Sequence, residues 1–190
     1  MKPINNWENV KATGSFETLP AGGYVCQIKS AKEVPNKRSA GTHLEIMFDI
    51  AEGDYRGFFE RDYRSQTRED KFWGGIVNQN VPNEGSPKYE QQAGFFKRFI
   101  NDIEESNPGY HWNWDEKTLV GRMIGVVFGE REKQSQKGTV YTTSIADSIT
   151  TVDAIRKGAY KVPELRRLPN APATSFGGFS PVADDGDLPF

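Results

Sequence analysis

Thr42-His43-Leu44-Glu45-Ile46-Met47-Phe48-Asp49-Ile50 alternates more cleanly than any other stretch of the chain, with Leu44, Ile46, Phe48 and Ile50 set against His43, Glu45, Met47 and Asp49. Successive side chains of an extended strand point to opposite faces, so a period of two predicts a strand with one buried face. A weaker alternation precedes it: Tyr24, Cys26 and Ile28 against Val25, Gln27 and Lys29, bounded by Pro20-Ala21-Gly22-Gly23 and Pro35. That is the first strand. On the other side, Glu52-Gly53-Asp54 has the chemistry of a hairpin turn, and residues 55–63 are expected to continue as a third strand.

Residues 64–87 show no sustained period and are expected to form a long loop. Ser86-Pro87 then offers a capping hydroxyl and a proline suited to a first helical turn. Tyr89, Ala93, Phe96, Phe99, Ile100 and Ile103 recur at helical spacing opposite Lys97, Arg98, Asn101, Asp102 and Glu105, which predicts an amphipathic helix stopped by Asn107-Pro108-Gly109. Residues 119–128 are apolar and glycine-interrupted, a buried strand; residues 140–149 alternate again as a fifth, with a short helix at 152–157. The order strand, strand, strand, helix, strand, strand is that of the five-stranded oligonucleotide-binding (OB) barrel, so the expected class is mainly β with one helix between strands 3 and 4. The division expected is an arm over 1–20, the barrel over 21–165, a Pro- and Gly-rich linker over 166–183 and an acidic tip over 184–190.

The net charge of -2 hides an uneven distribution. All 24 Lys and Arg precede residue 168, whereas three of the 26 acidic residues fall in the final seven, so the body is close to neutral and has room for a local basic groove. The barrel order places that groove on strands two and three between the first-second and fourth-fifth connections. Those positions hold Lys37 and Arg38, then Arg56, Phe58, Phe59, Arg61, Tyr63 and Arg64 with Trp73 nearby, then Arg131, Lys133, Lys137 and Tyr141. Cations compensate phosphates without reading sequence, and aromatic faces stack on any base, so the pattern points to single strands. Phe58 and Phe59 are adjacent in an expected strand, so one of them faces the groove and the other the interior; which is left open. A solvated edge for Arg56, Arg61 and Arg64, and packing rather than DNA contact for Trp112 and Trp114, are the plainer readings.

The tip Asp184-Asp185-Gly186-Asp187-Leu188-Pro189-Phe190 combines carboxylates with exposed apolar residues, a form suited to capture by a basic pocket with an apolar slot. It resembles the acidic tip of bacterial single-stranded DNA-binding proteins, which implies recruitment of replication, recombination and repair proteins. The body resembles single-stranded DNA-binding proteins of phages and integrating elements of Gram-positive bacteria, through Phe16-Glu17-Thr18-Leu19-Pro20-Ala21-Gly22-Gly23-Tyr24, Phe48-Asp49-Ile50-Ala51-Glu52-Gly53, Phe72-Trp73-Gly74-Gly75, Trp112-Asn113-Trp114-Asp115, Leu119-Val120-Gly121, Ile155-Arg156-Lys157-Gly158 and Val162-Pro163-Glu164-Leu165. The resemblance implies an OB barrel that coats exposed strands. An adaptor of a replication complex that does not itself hold DNA tightly is the alternative.

No motif for catalysis, phosphate cradling or metal ligation stands out, and Cys26 is alone, so the expectation is a non-enzyme without cofactor or metal in a reducing compartment. No apolar run or leader marks a membrane or secreted protein, which places it in the cytoplasm, a host's if phage-encoded. The sequence leaves open the oligomeric state, a homo-oligomer included, and the choice between DNA and RNA.

Overall fold

The computed structural model describes residues 18–37, 39–135 and 138–169. Five strands form one antiparallel sheet in the order β3-β2-β1-β4-β5: β1 (Gly22–Pro35), β2 (Thr42–Ile50), β3 (Ile76–Asn80), β4 (Met123–Gln134) and β5 (Val140–Thr150). β1 is shared. Its first part pairs with β4, from Gly22 opposite Phe128 to Gln27 opposite Met123, and from Cys26 opposite Ile50 to Pro35 opposite Thr42 it pairs with β2. A bulge between Ile28 and Ser30 inserts Lys29 and reverses the parity, so Ala31 rather than Ser30 follows Ile28 into the interior. The two outer strands, β3 and β5, bring Cα atoms within 8 Å of each other with no ladder between them, so the sheet is strongly curled.

Its concave face holds the core: Cys26, Ile28, Leu44, Ile46, Phe48, Ile50, Ile124, Val126 and Phe128. The alternation of β2 is borne out, and so is the amphipathic helix, α2 (Tyr89–Ser106), between β3 and β4, which buries Phe96, Phe99, Ile100 and Ile103. Asn107 ends α2 and ties it to β4, donating to the carbonyls of Ile103 and Met123 and accepting the Met123 N–H.

The stretch expected as the third strand is instead helical. α1 (Phe58–Ser65) follows Gly57, which turns the chain at φ 71°. Phe58 and Phe59 explain why: a strand would send these neighbours to opposite faces, whereas a helix allows both to be buried, and both are. The helix start is held by Asp49, whose buried carboxylate accepts the N–H groups of Ile50 (2.8 Å), Phe59 (3.0 Å) and Glu60 (3.2 Å). The third strand lies within the expected loop, as a five-residue edge strand paired with β2. Its approach is close, for a Cβ on Gly75 would lie 2.4 Å from the Phe48 carbonyl oxygen and 2.6 Å from Cδ2 of Phe59.

Residues 119–128 are only partly strand: Leu119 closes a 3-10 turn (Glu116–Leu119) and β4 begins at Met123. The strand is covered on both faces. α3 (Val152–Arg156) packs on β1 and β4, where a Cβ on Gly125 would lie 2.6 Å from Ile155, and Val25, Val127 and Val152 are all buried. The chain then runs on to Arg166, which bonds to Glu130 and Glu132 of β4, so the folded unit reaches past residue 165. It also starts before residue 21, because Leu19 is buried and its carbonyl accepts the Ser144 hydroxyl. Thr151 caps α3 by accepting the Ala154 N–H at 3.1 Å. Thr151→Ala is therefore expected to lower stability by about 1 kcal/mol, read from chemical unfolding; no change would mean that α3 is held by packing alone.

Candidate nucleic-acid interface

With α3 and the following segment over β1 and β4, the outward residues of β2 and β3 stay open: His43, Glu45 and Met47 are half-buried beside Ile76, Asn78 and Asn80. At the α1 end of this face an aromatic and cationic patch is built from α1 and residues 66–75. Tyr63, 38% exposed, has its ring centroid 5.9 Å from that of Trp73, with the Lys71 ammonium 5.7 Å from the Tyr63 centroid. Beside them Phe72 is 53% exposed, and the Arg68 guanidinium lies 5.0 Å from its centroid.

This patch is held in place from below. The Trp73 indole N–H donates to the Phe48 carbonyl at 2.9 Å, and Phe48 in turn donates its N–H to Gly75, so the chain is fastened to β2 as it enters β3. Gln66 grips the backbone of Phe72 in both directions, accepting its N–H at 3.0 Å and donating to its carbonyl at 2.9 Å, and also donates to Asp62. Arg68 is oriented by two hydrogen bonds to Asp70, 3.0 and 2.7 Å, which hold the Asp70 carboxyl below the usual carboxylate range. A fixed ring loses little freedom when a base stacks on it.

The residues singled out in the sequence divide accordingly. Tyr63 and Trp73 come together in the patch. Arg56, Arg61 and Arg64 are exposed on and just before α1, Arg61 donating to the Arg56 carbonyl and Arg64 pairing with Glu60. Phe58 and Phe59 are in the core, Phe59 packed against Phe48 and Phe128, so the expectation that one of them meets a base is corrected. Lys37 is exposed in the β1–β2 connection, at the opposite end of β2 from α1. Lys133 stands opposite Tyr141, 48% exposed, on the β4–β5 hairpin, while Arg131 is half-buried and bridged to Arg166. Arg38, Lys137 and the tip Asp184, Asp185, Asp187, Leu188, Pro189 and Phe190 lie outside the described residues. Arg68, Lys71 and Phe72 were missed; the signal was the run Arg68-Glu69-Asp70-Lys71-Phe72-Trp73, where charge passes directly into aromatic residues without any period.

Among the described residues no group of His, Cys, Asp and Glu is arranged to hold a metal ion, and no helix is long and apolar enough to cross a membrane. The Cys26 thiol is fully buried, and burial, then the nearby Asp49, pushes its pKa well up, which leaves it a packing residue. No protein-family model matches the chain, and no curated protein sequence does.

Proposed function

We propose that this chain is a sequence-nonspecific single-stranded DNA-binding protein built on an OB barrel, which coats and protects exposed strands in replication, recombination or repair and recruits partners through its acidic tip. The barrel reading is supported by the strand order: joining the outer strands β3 and β5, already within 8 Å, closes the ring β1-β2-β3-β5-β4 with α2 between β3 and β4. In that fold the face of strands two and three carries the ligand, and here that face is the uncovered one.

The observation that carries the functional reading is the patch of Tyr63, Phe72 and Trp73 interleaved with Arg68 and Lys71, fixed at the end of that face. Aromatic faces and cations in alternation match the bases and phosphates of a strand whose bases are unpaired; a duplex hides those faces. The reading assigns the protein no catalytic step. Its setting would be a cytoplasm, a host's for a phage-encoded protein.

The test is a tryptophan-fluorescence titration with oligo-dT, a duplex of equal length as control, at low and high salt. Quenching by the single strand, little response to the duplex and weaker binding at high salt are expected, with Trp73 as the reporter. Absence of binding both here and in a mobility assay would overturn the proposal in favour of an adaptor.

A further inference from the structure

At the opposite end of β2 and β3 from the aromatic patch, a polar pocket of about 320 Å³ lies between the β1–β2 connection, the end of β3 and the start of α2. Its walls carry amides and hydroxyls, among them Asn36, Asn80, Asn83, Ser86 and Gln92, and none of its lining residues is charged. A phosphate would enter it without a cation to meet the charge. A neutral, planar group rich in hydrogen-bonding atoms suits it better.

The amides are set in direction. Asn83 Oδ1 accepts the Gly85 N–H at 3.0 Å, and Asn36 Oδ1 lies 2.8 Å from His43 Nδ1, which donates to it when that nitrogen carries the proton. Each oxygen is thus taken and each NH2 left over. Gly41 shows where the two NH2 groups point: a Cβ there would lie 3.5 Å from Asn83 Nδ2 and 3.6 Å from Asn36 Nδ2, so both converge on one spot that the glycine, at φ 97°, keeps free of a side chain. Gln92 is already used, accepting the Asn83 N–H at 3.0 Å and donating to the Ser86 hydroxyl. Asn80, on the β3 wall, carries a donor and an acceptor.

Two converging donors beside a group that can accept match a base edge with two adjacent acceptors and an amino group. Cytosine has that edge in O2, N3 and N4. Thymine sets an N–H between its two carbonyls, which would confront an amide N–H, and guanine has no amino group beside its O6 and N7 acceptors. The position agrees: Asn80 stands opposite His43, four residues along β3 from Ile76, where the patch joins the strand. A nucleic-acid strand stacked on the patch and lying along this face meets the pocket after about 14 Å.

We infer that this pocket takes the base of one nucleotide edge-on and prefers cytosine, Asn36 and Asn83 donating to O2 and N3 and Asn80 accepting from the N4 amino group. The inference rests on the proposed single-strand binding: stacking and phosphate contacts hold any sequence, and this one position reads its base.

The test titrates the full chain with oligo-dT, oligo-dC and an oligomer of 3-deazacytosine, in which C–H replaces N3, at equal length and salt. Asn36→Ala and Asn83→Ala are each expected to lower the ratio of dC to dT affinity about fivefold, the return on about one net hydrogen bond, with dT affinity unchanged. Asn78→Ala, on the same strand but outside the pocket, should leave the ratio alone. The unmodified chain should bind the 3-deazacytosine oligomer about fivefold more weakly than oligo-dC, a comparison that depends on no variant's folding. A ratio unchanged in both pocket variants, or 3-deazacytosine held as tightly as cytosine, would overturn the inference and leave single-strand binding standing. Failure of every oligomer to bind would overturn both.

Discussion

Asp49→Ala is expected to remove about 4 kcal/mol of stability, more than any exposed substitution in this chain, because one buried carboxylate serves three backbone donors on two elements. Hydrogen bonds to a charged group contribute roughly 1.5–3 kcal/mol each, and alanine leaves the N–H groups of Ile50, Phe59 and Glu60 without that acceptor, the first two of them buried. The helix dipole adds to the loss, since a negative charge at the first turn of α1 is favourable. Asp49→Asn should cost about half as much: Oδ1 accepts two of the three donors and an amide keeps one such oxygen, but the amide nitrogen then confronts the Glu60 N–H. Urea unfolding with an unchanged slope measures both. An Asp49→Ala variant within about 1 kcal/mol of the parent would show that α1 is held by Phe58 and Phe59 and not by its cap.

The same residue marks how far the sequence could be followed. Alternation along residues 42–50 put Asp49 on the polar side with His43 and Glu45, which is correct for its direction. It gave no sign that a helix nine residues on would lie over it and bury it, because that contact depends on where the chain returns. The adjacent Phe58 and Phe59 were visible, yet aromatic density fits a strand and a short helix equally, and only the shared burial of both rings decides for the helix. β3 escaped notice for a different reason: Ile76-Val77-Asn78-Gln79-Asn80 has two apolar residues and one partner strand, too little burial to leave a period. By contrast α2 has six apolar residues at helical spacing and was legible from local pattern alone, whereas β5 was legible as a strand but not in its facing, because a register shift opposite Val127 and Phe128 puts Ala146 and Ile149 against the core. The nomination of Tyr63 and Trp73 came from composition; their meeting, with Lys71 and Phe72, came from the return of residues 66–75 to β2 through Trp73 and Gly75.

Phe72→Ala is expected to weaken oligo-dT binding about tenfold, and Tyr63→Ala with Phe72→Ala about a hundredfold, without a matching loss of stability. Stacking on one aromatic side chain is worth roughly 1–3 kcal/mol per base, and about 1.4 kcal/mol per ring, within that range, gives these factors. Both rings are partly in solvent, so truncation leaves no buried cavity. Trp73 is the wrong residue for this test, because its indole is bonded to Phe48 and packed against the core, and its loss would mix binding with folding. Phe95 supplies the control: it is 60% exposed, more than Phe72, but stands on α2, so Phe95→Ala should leave binding unchanged. Lys71→Ala should act differently again, lowering affinity for every sequence alike and reducing the dependence of log affinity on log salt by about 0.7, the loss of one phosphate contact on a single strand. These are titrations at matched salt on variants whose unfolding curves overlay the parent. Phe72→Ala binding as tightly as the parent would remove the patch from the DNA path, and weakening by Phe95→Ala alone would move that path to the α2 side of β3, where Gln79, Phe95 and Arg98 line a polar cleft of about 590 Å³.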